Sequence, residues 1–190
     1  MFEHHRRHFY NPHFKIHTPC IKKRAKEQEK VYDKLFYAIY HKLNERKISL
    51  DKYNETIEKI NVIEKLEYIK LKHKDKILED LQSKNIPLHC LNALCYAWNI
   101  NIVWYSEYFF YESIVKQDEP IYYLSHNYEW TNTMDTNKIK IVDFFKPLKS
   151  ISYYKLDELK QMGETMNIDG KKKSDFYEKI ENYFKHLKLI

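Results

Sequence analysis

Apolar residues recur at steps of three and four through the first third of the chain. Val31, Leu35, Phe36, Ile39 and Leu43 share one face of a charged helix predicted over 21–46. The pattern returns over 47–73, where Tyr53, Ile57, Ile60, Ile63, Leu66 and Ile69 form a second stripe and Ser49 is placed to cap it. The two stripes predict a helical hairpin turning near 44–47. A shorter helix is predicted over 76–83.

Beyond Pro87 the period changes. Leu88, Leu91, Leu94 and Cys95 read as a buried helix that Pro87 opens. "NIVWY" at 101–105 and "YFFYE" at 108–112 are rich in β-branched and aromatic residues and close together, which predicts a hairpin. "PIYYL" at 120–124 reads as a third strand, and "KIKIVDFF" at 138–145 as a strand or the start of the next element. Pro147 marks a junction. After it, Leu156, Leu159, Gly163 and Met166, then Phe176, Ile180, Tyr183, Phe184 and Leu187, give two short amphipathic helices. The expected fold class is therefore α+β: a helical N-terminal half, a small antiparallel sheet and a C-terminal helix–loop–helix. The expected organisation is an arm at 1–20, a body at 21–147 and a module at 148–190.

Composition narrows the chemistry. Among 190 residues there are only two glycines, so a Walker A loop or a dinucleotide fingerprint has no material to form, and no cofactor is expected. Three cysteines, Cys20, Cys90 and Cys95, are an odd number without tight pairing, which points to a reducing, intracellular setting, nuclear or cytoplasmic. No apolar run reaches the roughly 20 residues of a membrane helix, so no membrane partner is expected. The first twenty residues lack an apolar core of the kind a secretory signal carries. They hold His4, His5, His8, His13, His17 and Cys20, but no Cys-x-x-Cys knuckle, and Pro12 and Pro19 interrupt any helix. The arm reads as a nucleic-acid or interface segment, with no metal expected. The tyrosines and tryptophans alternate with apolar residues and read as core.

Net charge is +6, a mild bias toward polyanions. The tail concentrates it. Both glycines, Gly163 and Gly170, lie there, and Lys171, Lys172 and Lys173 follow the second directly. Gly170 suits a turn that needs positive φ, and Gly163 allows a second helix to approach closely. Ser174 is placed to cap the second helix. A helix start offers free backbone N–H groups and partial positive charge, and adjacent lysines add full charges. That combination suits phosphate rather than a base edge.

The stretch "YYKLDELKQMGETMNIDGKKKSDFYEKIENYF" resembles a SAP domain, through Leu156, Leu159, Gly163, Ile168, Gly170, Lys172, Phe176 and Ile180. Phe176 falls one place later than the family's usual leucine. The resemblance implies binding to DNA, or sometimes RNA, through Gly170, Lys171, Lys172, Lys173 and Ser174. The middle segment, with "PIYYLSHNYEW", is similar to the second half of an OTU-type cysteine protease. That likeness implies a catalytic histidine at His126 and a nucleophilic cysteine at the start of a buried helix, preceded by an Asp-Gly-Asn run. Cys20 precedes a predicted helix but lacks the run; Cys90 is the other partner for His126. No catalytic residue is otherwise expected. Residue usage is similar to that of small proteins of large DNA viruses, which implies virion, packaging or transcription roles. The reading is thus a non-enzymatic nucleic-acid-binding protein whose body is free to take a protein partner. Its alternatives are an OTU-like protease, active or inactive, with a DNA-tethering tail, and a structural protein whose tail docks on protein.

Overall fold

The computed structural model describes residues 32–44 and 53–189. The arm at 1–20, Cys20, Ser49 and most of the 44–47 turn lie outside them.

Helix α1 (Lys34–Asn44) buries Leu35, Phe36 and Ile39 of the expected stripe, and Tyr40 beside them; Leu43 is half-buried, and Val31 lies outside the described residues. It starts later than its periodicity suggests, because Asp33 caps its first turn. The Asp33 carboxylate accepts from Phe36 N at 2.6 Å, which is N-cap geometry. Helix α2 (Glu55–Leu66) is capped by Asn54, whose side chain accepts from Ile57 N. Its buried positions are Lys59, Val62 and Leu66, while Ile57 and Ile60 are 53% and 49% exposed. The expected stripe is therefore rotated. Lys59 can sit inside because Glu55 lies 2.8 Å from its ammonium, which also donates to Ser83 O at 2.8 Å. Helix α3 (Lys74–Leu81) follows His73, whose left-handed φ of 57° breaks the path from α2. A 3-10 turn at Leu88–Cys90 leads into α4 (Leu91–Trp98), which buries Leu91, Ala93, Leu94 and Cys95.

The sheet has β1 (Asn101–Tyr105), β2 (Phe109–Ser113), β3 (Ile121–Ser125), β4 (Trp130–Thr131) and β5 (Ile139–Lys140), in the order β4-β3-β1-β2-β5. The β1–β2 and β3–β4 pairs are antiparallel as expected, and β1–β3 and β2–β5 are parallel, so the sheet is mixed. The parallel pair comes from the route of the chain. It leaves β2 at Ser113, passes the end of β1 and lays β3 on the other edge of β1. Asn101, 1% exposed, secures that passage. Its Nδ2 donates to Lys116 O and Glu119 O at 2.6 and 3.1 Å, and its Oδ1 accepts from Val115 N and Lys116 N at 2.8 and 3.0 Å. A buried amide is tolerable only when satisfied in this way.

Val31–Ile190 forms one compact unit. Helices α1–α4, the sheet and the two tail helices contribute to one apolar cluster that runs from Leu35 to Phe184. No helix among the described residues is long and apolar enough to cross a membrane.

Candidate nucleic-acid interface

The tail folds as two helices, α5 (Leu156–Thr165) and α6 (Lys173–His186), joined by 166–172. Helix α5 buries Leu159 and Gly163; α6 buries Phe176, Ile180 and Phe184. The Glu158 carboxylate accepts from Lys155 N at 2.6 Å and opens α5. Asn167 closes it with a φ of 53°, and Ile168 N donates to Gly163 O at 2.8 Å.

Neither glycine has positive φ; Asn167 takes that position instead of Gly170. The two glycines serve one aromatic ring. A Cβ on Gly163 would lie 2.7 Å from Phe176 Cδ1, and a Cβ on Gly170 would lie 3.1 Å from Phe176 Cδ2. Phe176 is wedged between them, 5% exposed. A side chain at 163 would collide with the ring and one at 170 would press tightly on it, so close approach explains why both glycines fall here.

The wedge sets the cationic corner. Lys171, Lys172 and Ser174 are exposed, and Gly170 and Lys173 are half-buried. Among the described residues, Lys171, Lys172 and Lys173 form no ion pair, whereas Lys185 pairs with Glu181 at 2.6 Å. The helix start is capped differently from the sequence reading. Ser174 lies inside the first turn, and the Asp175 carboxylate accepts from Lys171 N and Lys172 N, both at 3.0 Å. Those two bonds hold its carboxyl below the usual carboxylate range. Two backbone donors of this turn, Lys171 N and Lys172 N, are thus met from within the chain. The lysine side chains remain exposed or half-exposed beside them. A hollow beside them is lined by Asp169, Gly170, Lys171, Asp175, Glu178, Lys179 and Asn182, so the corner is cationic on one side and mixed on the other.

The body holds the opposite end of α6. Phe184 packs on Phe109 with ring centroids 4.5 Å apart, and Tyr183 packs on Phe109 at 5.6 Å. Nearer the start of α6, Tyr177 donates to Lys149 O at 2.9 Å. Eleven residue steps along the helix, roughly 16 Å at 1.5 Å each, separate Phe184 from Lys173. The docking thus leaves the lysine corner uncovered.

A second feature lies on the body. A cleft of about 760 Å³ is lined by, among others, Asp33, Lys34, Trp104, Glu107, His126 and Lys188. His126 is exposed on the β3–β4 turn. The cleft thus brings His126 and the start of helix α1 to one surface, and the first residue of that helix is the exposed Lys34. Asp33 and Lys34 were not legible as cleft residues, because an acid followed by a lysine at a helix start is ordinary surface chemistry. Asp33 is 4% exposed and also accepts from Ile86 N at 2.5 Å. Burial pushes its carboxyl up despite those bonds.

The thiols do not join this cleft. Cys90 and Cys95 are free and fully buried, and burial pushes both up to about 12. A nucleophilic cysteine needs the reverse shift. Cys20, the other candidate, lies outside the described residues. Comparisons with protein-family models, curated proteins and solved structures find no match.

Proposed function

We propose that the chain is a non-enzymatic, intracellular nucleic-acid-binding protein whose tail holds the phosphate backbone, foremost of DNA. The observation that supports this is the unpaired triplet Lys171, Lys172 and Lys173, exposed or half-exposed at the turn of a helix–loop–helix whose far end is docked on the body. The side chains supply the contact, since Asp175 already occupies Lys171 N and Lys172 N. Such a contact reads charge and shape rather than sequence. Roles in a virion, in packaging or in transcription fit this reading, and the body remains free for a protein partner.

The test is a salt-titrated anisotropy assay of the full chain on duplex DNA, single strands and RNA. Replacing Lys171, Lys172 and Lys173 with glutamate should weaken binding about ten-fold or more and flatten the salt slope by about 2–3. Unchanged affinity and slope would reject the tail site. If only RNA binds, the choice of DNA fails and the backbone contact stands.

A second reading has its own support. The OTU-like segment implies a cysteine at the start of a buried helix near His126, and Lys34 occupies the start of α1 on the cleft that His126 lines. This supports the inactive form of that reading, with a cleft that no thiol lines among the described residues. A ubiquitin-based activity probe should label no cysteine; labelling at any of the three would restore the protease reading.

A further inference from the structure

Asp80, His89 and Cys90 come together where the end of α3 meets the 3-10 turn before α4. Their ligand atoms lie within 4.8 Å of one another. The two oxygens of Asp80 have separate duties: Oδ1 lies 3.0 Å from Lys76 Nζ, and Oδ2 lies 2.7 Å from His89 Nε2. Phe145 covers the His89 ring at 4.4 Å. Cys90 is fully buried behind them, its Sγ 4.0 Å from Ile77 O. The His89 and Asp80 side chains keep 18% and 14% exposure, so one side of the cluster opens to solvent.

We propose that this cluster is a binding site for a zinc-class divalent ion, held by Asp80 Oδ2, His89 Nε2 and Cys90 Sγ, with water in the fourth place. A carboxylate, an imidazole and a thiolate are the donor types that such a borderline ion prefers. The ion takes the position of the proton shared between His89 and Asp80. Tetrahedral ligands about 2.0–2.1 Å from zinc stand about 3.3–3.4 Å apart, so the 2.7 Å pair opens by well under 1 Å. The 3-10 turn sets His89 and Cys90 side by side, and Lys76 on the other oxygen of Asp80 orients the carboxylate as an outer partner. Binding releases the Cys90 thiol proton to water, while the Nε2 proton of His89 leaves or moves to Nδ1. The site carries no Cys-x-x-Cys signature in the sequence; its donors are one adjacent His-Cys pair and an acid nine residues before the histidine.

Cobalt(II) titration of the full-length Cys20→Ser chain tests the proposal. The histidine-rich arm can also take cobalt, but without Cys20 it cannot give a thiolate-to-cobalt charge-transfer band. The expected result is a near-ultraviolet charge-transfer band with tetrahedral visible bands, both bleached by zinc. Cys90→Ala should abolish the near-ultraviolet band. Asp80→Asn, which preserves shape and thiol, should weaken cobalt binding at this site about ten-fold or more. A chain without the band, a band that survives Cys90→Ala, or unchanged affinity in Asp80→Asn would each overturn the site. Far-ultraviolet circular dichroism confirms that each variant folds; if Cys90→Ala does not, Asp80→Asn decides.

Discussion

Helices α1 and α6 both open with a lysine beside an aspartate that accepts two backbone N–H bonds, yet the two carboxyls shift in opposite directions. Asp33 accepts from Phe36 and Ile86, and Asp175 from Lys171 and Lys172. Asp33 is buried, and desolvation outweighs its two donors and raises its pKa. Asp175 is solvated, and its two donors lower its pKa. Hydrogen-bond number alone therefore does not fix the behaviour of a capping acid; the surroundings decide its sign. One start is locked from within by polar bonds. The other is held by Phe176 between two glycines and presents its charge outward.

The sharpest way to break this contrast is Asp33→Ala. It strands two N–H groups and removes the cap, and should cost about 3 kcal/mol in urea unfolding. A loss under about 1 kcal/mol would mean that α1 does not depend on its buried acid. Next comes Gly163→Ala. The added Cβ would meet Phe176 at 2.7 and 2.9 Å. Overpacking should outweigh the gain in helix propensity and leave a net loss of about 1–2 kcal/mol. Phe176→Leu in the same chain should recover part of it, and additive losses would show that the ring and the glycine do not couple.

Smaller still is Asp175→Asn. Its lowered pKa means that its stabilisation is full above the unfolded value of about 3.9 and is lost as pH falls through the folded value. The melting temperature of the variant should lie slightly below the parent's at neutral pH and converge with it in acid. Asp33 has the opposite sign. Its raised pKa favours the fold at low pH, and that contribution declines as pH rises through the shifted value. A parent and an Asp33→Asn chain should therefore diverge in the direction opposite to the Asp175 pair across the same range. Parallel pH profiles would refute the contrast.

Much of this was legible along the chain. The helical stripe at Leu35, Phe36 and Ile39, the strand at 101–105, the strand expected at 108–112 and found at 109–113, and the two tail helices follow from periodicity, because one-sided burial writes itself into spacing. Local patterns fail where a distant partner decides. Lys59 turns inward only because Glu55 and Ser83 receive it, so Ile57 and Ile60 face out. Asn101 looked like a strand end and instead secures the crossing that makes β1 and β3 parallel. The lysine corner was visible as composition, while its cap was not, since Ser174 and Asp175 are both plausible caps and only the loop path selects the acid. The cleft was unreadable because Lys34 and His126 are brought together by packing across ninety-two positions.

The seating of Phe184 on Phe109 has a mechanical consequence. A tail joined by a slack linker would let its cargo wander, whereas α6 is anchored at one end and offers its cations at the other. Any polymer gripped by that tip would carry the rest of the protein at a set angle, like a flag on its pole. The arrangement makes the molecule a bracket rather than a leash.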